Sequence, residues 1–173
     1  MPLLTNYMFV EKVQAHGFNN MFLEDFKVMK IALASDHAGY DYKEAIGAFL
    51  KKKGYEVVNY GTYSKESCAY PDFVVPAAQS VADGKCDKGI VLGGSGNGEA
   101  MAANKVKGIR CALAWDLRSA RLSREHNDAN VLSVGQRMMA IEEALEIVEL
   151  WLNAKFEGAR HQARIDMLDR INV

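Results

Sequence analysis

The chain is poor in the features that mark the more specialised classes of protein. Only three of its 173 residues are cysteine: Cys68, Cys86 and Cys111. The number is odd and no CxxC spacing occurs, so neither a disulfide framework nor a zinc site is indicated. A reducing cytoplasm is the expected setting. Charge of one sign is missing too. Lys and Arg total 21 against 22 Asp and Glu, for a net charge of −1, which gives no support for nucleic acid or a membrane surface as partner. No apolar run approaches the roughly 18 residues that a bilayer span requires. The opening stretch MPLLTNYMFVEKVQAHGFNNMFLEDFKV lacks the basic start, apolar middle and small-residue cleavage site of a secretory signal. There is no internal repeat and no low-complexity tract. What remains is an ordinary globular composition, 49% apolar and 25% charged, with the length of one domain and a core that needs no staples.

From Met29 the pattern becomes regular. KIALAS (30–35), YEVVNYG (55–61), GIVLGG (89–94), IRCALAW (109–115) and NVLSVG (130–135) read as strands. Between and after them, YDYKEAIGAFLKKKG, FVVPAAQSVADG, GEAMAANKV, DLRSARLSREH and AIEEALEIVELWLNA read as helices. Gly54 is a natural helix stop, Asp116 an N-cap, and Pro76 must sit in a first turn or kink its helix. Strand–helix alternation repeated five times predicts a parallel sheet covered on both faces: an α/β, open, doubly wound, five-stranded Rossmann-like sandwich. Residues 29–154 form this domain. Residues 155–173 are a polar, basic C-terminal segment. Residues 1–28 lie outside the alternation, as an ordered arm or as sequence upstream of a true start at Met29.

Ligands of such sheets bind beyond the carboxyl ends of the strands. Those ends carry Asp36 and His37, Gly61, the loop GGSGNG, Asp116, and Gly135-Gln136-Arg137. The glycine loop can aim bare backbone N–H groups at an anion, but it is neither a Walker A loop nor a dinucleotide fingerprint. Glu99, just after it, is either a first-turn residue offsetting the helix dipole or a catalytic base. Asp36 is either a cap for the next helix or a group that acts on a substrate oxygen, beside His37. His126, in REHNDAN, is either an exposed helix-end histidine or a site residue. Arg160 and Arg164, four apart in ARHQAR, share a face if the segment is helical. They suit a phosphate, or else form a solvated tail. Three of the four histidines (His37, His126 and His161) fall within these motifs. Together the motifs supply a carboxylate base, imidazoles, an N–H cradle and an arginine cluster. That set suits proton abstraction next to the carbonyl of a small phosphorylated substrate.

ASDHAGY, GGSGNGEAMAANK, CALAW, REHNDANVLSVGQRM and RHQARID, in that order, closely resemble the type B ribose-5-phosphate isomerases, within a wider sugar-phosphate isomerase family that includes galactose-6-phosphate isomerase. The resemblance runs from about Met29 to Ile171. It implies a Rossmann-like fold, no metal, no organic cofactor, a phosphorylated sugar as substrate, and a homodimer or tetramer whose site is shared between subunits. Some family members carry a cysteine base at the start of the glycine loop; Gly93 stands there in this chain. Others carry a glutamate at the position of Glu99. The resemblance implies that Asp36 and His126 assist opening of the furanose ring and that Glu99 moves the proton between C2 and C1. Gly94, Ser95, Gly96, Asn97 and Gly98 would cradle the oxyanion. His37, Arg137, Arg160 and Arg164 would hold the phosphate, with His161 nearby and Asn127 on a sugar hydroxyl. Arg160 and Arg164 would come from the partner subunit. The same chemistry on erythrulose 4-phosphate, allose 6-phosphate or galactose 6-phosphate is an alternative. So are a non-catalytic, flavodoxin-like nucleotide-binding module and a subunit that has kept the fold without activity.

Overall fold

A computed structural model describes residues 28–171. The expected N-terminal extension therefore lies, but for Val28, outside the described residues. Five strands, β1 (Lys30–Ser35), β2 (Glu56–Asn59), β3 (Lys88–Gly93), β4 (Cys111–Leu113) and β5 (Val131–Gly135), pair in the order β2-β1-β3-β5-β4, and every pairing is parallel. Six helices connect and follow them: α1 (Tyr40–Lys52), α2 (Pro71–Ala82), α3 (Asn97–Ala103), α4 (Leu117–Asn127), α5 (Ile141–Asn153) and α6 (Arg160–Leu168). The doubly wound reading holds.

The sheet sorts its side chains by the two-residue period of a strand. Ile31, Leu33, Ile90, Leu92, Leu132 and Val134 point to one face, where α1, α4 and α5 bring Ile46, Leu50, Ala120, Ile147 and Trp151. Ala32, Ala34, Val91 and Val131 point to the other, against Val74, Ala77 and Ala78 of α2 and Ala103 of α3. Both faces are covered, which is why the strands are continuous apolar runs rather than alternating ones.

Local signals set several boundaries. Gly54 has φ +90 and ends the turn after α1. Asp116 caps α4, its Oδ1 accepting from Ser119 N at 2.6 Å, while Ser119 Oγ accepts in return from Asp116 N at 3.3 Å. Other boundaries moved. β2 and β4 are shorter than their apolar runs, because both are edge strands and pair on one side only. α2 begins at Pro71, which sits at its start, and Pro76 lies one turn inside. There it forfeits the bond to the carbonyl four residues back without ending the helix. The basic tail contains α6, whose buried residues are His161 and Ile165 alone. A stripe that narrow gives a weak periodic signal.

Among the described residues no helix is long and apolar enough to cross a membrane. Trp151 is the largest fully buried side chain, with the Lys88 ammonium 5.4 Å and the Arg124 guanidinium 5.9 Å from its ring centroid. Its Nε1 has no hydrogen-bond partner. Trp151→Ala is expected to cost roughly 3–5 kcal/mol of stability. Trp151→Phe, which loses no hydrogen bond and keeps a ring face for both cations, should cost less than about 2 kcal/mol. Denaturant midpoints of the two variants check the ranking.

Candidate active site

The strand order reverses direction about β1 and β3, and that reversal opens a crevice at their carboxyl ends. A cleft of about 430 Å³ lies there, lined by Asp36, His37, Ala38, Tyr70, Gly94, Ser95, Gly98, Glu99, Arg137 and Met138. Seven of the residues singled out in the sequence are thus brought together from the ends of β1, β3 and β5.

Each is held by backbone. Asp36 is 8% exposed, and its Oδ1 accepts from Ala38 N (2.8 Å) and Gly39 N (3.1 Å). Asp36 is therefore a cap, with Oδ1 spent on the turn, and the same residue lines the cleft. His37 Nδ1 accepts from Cys68 N at 3.3 Å, which leaves Nε2 to carry the proton of a neutral ring. Arg137 N donates to Gly94 O (3.0 Å) and Gln136 N to Gly93 O (2.9 Å), which ties the end of β5 to the glycine loop. Ser133 Oγ donates to Gly96 O at 2.7 Å from beneath.

Glu99 stands in the first turn of α3 and is only 4% exposed. Its carboxylate fills the space that a β-carbon on Gly93 would need. A side chain at 93 and an inward carboxylate at 99 are therefore mutually exclusive, which gives a physical reason for glycine where other members of the resembled family carry a thiol. Burial pushes the Glu99 carboxyl above its ordinary value of 4.5, opposed by its own backbone N–H and reinforced by the charge of Asp36. A carboxyl with raised proton affinity, buried beside a second carboxylate, is placed to take up and return a proton. The loop beside it is bare backbone. Gly96 has φ +80, a left-handed conformation that any other residue would strain to adopt. The N–H groups of the first turn of α3 have no carbonyl partners within the helix.

Three lining residues, Ala38, Tyr70 and Met138, were not singled out in the sequence. Tyr70 lays its ring against Gly98, where a β-carbon would come within 2.9 Å of it. Met138 closes the other side. Tyr70 precedes α2 at the end of a long polar loop, and only the folded chain returns it to the site. The loop is anchored by a fully buried lysine, Lys43, whose Nζ lies 2.6 Å from Glu44 Oε1 and 3.2 Å from Asn59 Oδ1; the same Asn59 oxygen accepts from Gly61 N.

The remaining candidates are elsewhere. Asn97 is exposed on a neighbouring hollow with Met101, Asn104 and Leu113, and Gly96 is buried beneath the loop. His126, Asn127, Arg160, His161 and Arg164 do not line the cleft. α4 starts at the carboxyl edge of the sheet and runs back for 11 residues, about 16 Å at 1.5 Å per residue, so its last residues reach the opposite edge. There the His126 and His161 rings stack with centroids 4.3 Å apart and planes 8° from parallel. Glu157 joins them, and ligand atoms of the three residues lie within 4.8 Å of one another. The set is not aimed as a chelate, because parallel rings do not direct their lone pairs at one point, and His161 Nε2 already accepts from Arg160 Nε at 3.3 Å.

Comparison with known proteins points one way. The family model for ribose/galactose isomerases matches residues 31–168. The ribose-5-phosphate isomerase B of Mycobacterium leprae is 46% identical over 142 residues, which are 81% of this chain and 88% of that protein. Among solved structures, ribose-5-phosphate isomerase B of Clostridium thermocellum superposes with a TM-score of 0.81 at 50% identity, covering 82% of this chain and 95% of the other. The enzyme of Mycoplasma genitalium with bound ribulose-5-phosphate gives 0.79 at 42% identity, with the same coverage.

The packing at Gly93 yields a direct test. Gly93→Ala forces the Glu99 carboxylate to move and is expected to lower turnover by ~100-fold, the scale of a 1 Å misplacement, with a stability change below about 1 kcal/mol, because only the end of a flexible side chain must shift. Steady-state kinetics and thermal unfolding of the variant read the two effects separately.

Proposed function

The chain belongs to the ribose/galactose isomerase family and is a sugar-phosphate aldose–ketose isomerase; we propose that its substrate pair is ribose 5-phosphate and ribulose 5-phosphate, with Glu99 as the base. The observation that carries this reading is the buried carboxylate of Glu99, facing a cleft beside bare backbone N–H groups and held above the ordinary carboxylate range. In the open-chain aldose, Glu99 takes the proton from C2. The electron pair moves toward the C1 carbonyl oxygen and a cis-enediolate forms. Backbone N–H groups of the loop from Gly94 to Gly98, with Ser95, stabilise that oxyanion. A proton passes from the oxygen on C2 to the oxygen on C1, and Glu99 returns its proton to C1, which leaves the ketose. The isomerisation is redox-neutral overall and needs no electron acceptor.

Asp36, His37 and Arg137 line the same cleft as Glu99; on this reading Asp36 assists ring opening, and His37 and Arg137 bind the phosphate. The site as one chain presents it has a single guanidinium. We infer that a second copy supplies His126, Asn127, Arg160, His161 and Arg164, in a homodimer related by a two-fold axis. Three observations support this. These residues sit at the far edge of their own chain. Arg160 and Arg164 are exposed. Met101, Trp115, Leu117 and Met138 are exposed around the carboxyl edge, where a monomer would gain by covering them.

Glu99→Gln is expected to lower kcat at least ~100-fold with the fold intact, the scale of general-base catalysis. A loss smaller than tenfold in a folded protein would remove Glu99 from the role. Because the base must be ionised and its proton affinity is raised, kcat should fall with decreasing pH at a midpoint above the ordinary 4.5. That acid limb should be absent from the residual activity of Glu99→Gln. The shared site has its own test. Mixing and re-equilibrating Glu99→Gln with Arg160→Ala, each nearly inactive alone, should restore about a quarter of wild-type activity, since half the dimers are mixed and each holds one intact site. No recovery, or a strictly monomeric protein by sedimentation, would contradict sharing.

A further inference from the structure

The second cluster contains a group that the reaction as described does not use. Glu157 lies in the turn between α5 and α6, and its backbone N–H donates to Glu125 O at 2.9 Å, one residue before His126. The chain then reverses through two residues of positive φ, Gly158 (+65) and Ala159 (+46). This reversal folds the side chain of Glu157 back over the first turn of α6. Its Oε2 lies 3.5 Å from His161 Nε2 and 3.9 Å from His126 Nε2. We propose that Glu157 is a positioning residue: its carboxylate keeps one proton on the stacked His126–His161 pair and directs that proton to His126, the imidazole offered to the substrate. The role of His126 in that statement rests on the proposed isomerase reading.

The charges around the pair explain why a carboxylate is needed. Two imidazoles stacked at 4.3 Å cannot both be cationic at modest cost. From α6, Arg160 and Arg164 add positive charge. On α4, Arg121 pairs with Glu125 and Arg124 with Asp128, while Arg110 bridges Asn127 O and Asp128. Burial, His126, Arg160 and Arg164 all push the His161 imidazolium toward deprotonation, and Glu157 alone opposes them. His161 is 5% exposed, and its Nε2 accepts from Arg160 Nε, so it is held as the neutral ring. His126 has a third of its side chain exposed and its Nε2 toward the carboxylate. With His161 Nε2 engaged by Arg160, His126 is the ring of the pair that is both open to a ligand and free at the nitrogen facing the carboxylate. The arrangement is the one by which a carboxylate usually orients an imidazole and fixes where its proton sits.

Glu157→Gln keeps the shape and the backbone anchor and removes only the charge; Glu157→Asp keeps the charge. Two readouts are compared in the full-length protein: the pH profile of kcat on ribose 5-phosphate, and NMR titration of the His126 and His161 ring protons. Loss of the carboxylate lowers the proton affinity of the pair, so the imidazole limb of the profile moves to lower pH whichever form of His126 is active. The expected displacement is about half a unit to one unit for a partly exposed anion at this distance, smaller at high ionic strength, with Glu157→Asp close to wild type. The ring-proton titration should move in the same direction. A uniform loss of activity with the limb and the titration unmoved would make Glu157 structural and overturn the proposal. So would equal behaviour of the Gln and Asp variants. If the wild-type protein turned over no ribose 5-phosphate, the isomerase reading would fail, while the NMR titration would still decide the role of Glu157.

Discussion

The site depends on one steric constraint: a carboxylate and a β-carbon compete for the same space at the end of β3. Because Gly93 has no side chain, Glu99 can turn inward and be buried. Because Glu99 is buried, its proton affinity rises above the ordinary carboxylate value. The surrounding contacts are of the same kind. A β-carbon on Gly39 would lie 2.7 Å from the carbonyl carbon of Leu92, and one on Gly135 would lie 2.6 Å from that of Ser95. The ends of β1, β3 and β5 thus approach through bare backbone, closer than any side chain would allow. This close approach makes the crevice of the sheet narrow enough to hold two carboxylates beside a loop of N–H groups.

The charge distribution follows the same geometry. The chain is nearly neutral as a whole, yet its two ends are specialised. The cleft gathers Asp36 and Glu99, while the far edge gathers two histidines, Arg160 and Arg164. In a helix that runs antiparallel to its strand, as α4 does, residues ten positions apart in sequence lie at opposite edges of the sheet. If both groups serve one site, as proposed, a single copy carries its halves at a separation it cannot close by itself. On the proposed reading, a two-fold axis closes it, at no cost in additional sequence. The stacked His126–His161 pair shows that the far half is pre-assembled within each chain, with Glu157 and the reversal at Gly158 and Ala159 as its scaffold.

Much of the framework was legible because it rests on interactions between residues near in sequence. Apolar runs of five or six residues between amphipathic helices dictate a covered parallel sheet. Asp116 ahead of α4 marks a helix start, and a glycine after α1 a helix stop. The motifs at the strand ends named most of the cleft for a related reason: in this architecture the ends converge whatever the details of packing. α6 was not legible, since two buried residues in nine leave little periodic trace. Nor was the shortening of β2 and β4, which comes from their places at the edges of the sheet.

What the sequence determined alone is the alternation of elements, the residue types at the strand ends and the bare loop ahead of Glu99, all properties of short segments. Only the tertiary structure decided how those groups are used. It showed that Asp36 spends one oxygen on a turn and that Glu99 excludes any side chain at 93. It placed Tyr70 over Gly98 from a distant loop and set Asn97 outside the cleft. It also separated His126, Asn127, Arg160, His161 and Arg164 from the carboxylates they accompany in sequence order. Such facts depend on which atoms occupy the same few cubic ångströms, and close packing between segments far apart in the chain, rather than local pattern, sets that occupancy.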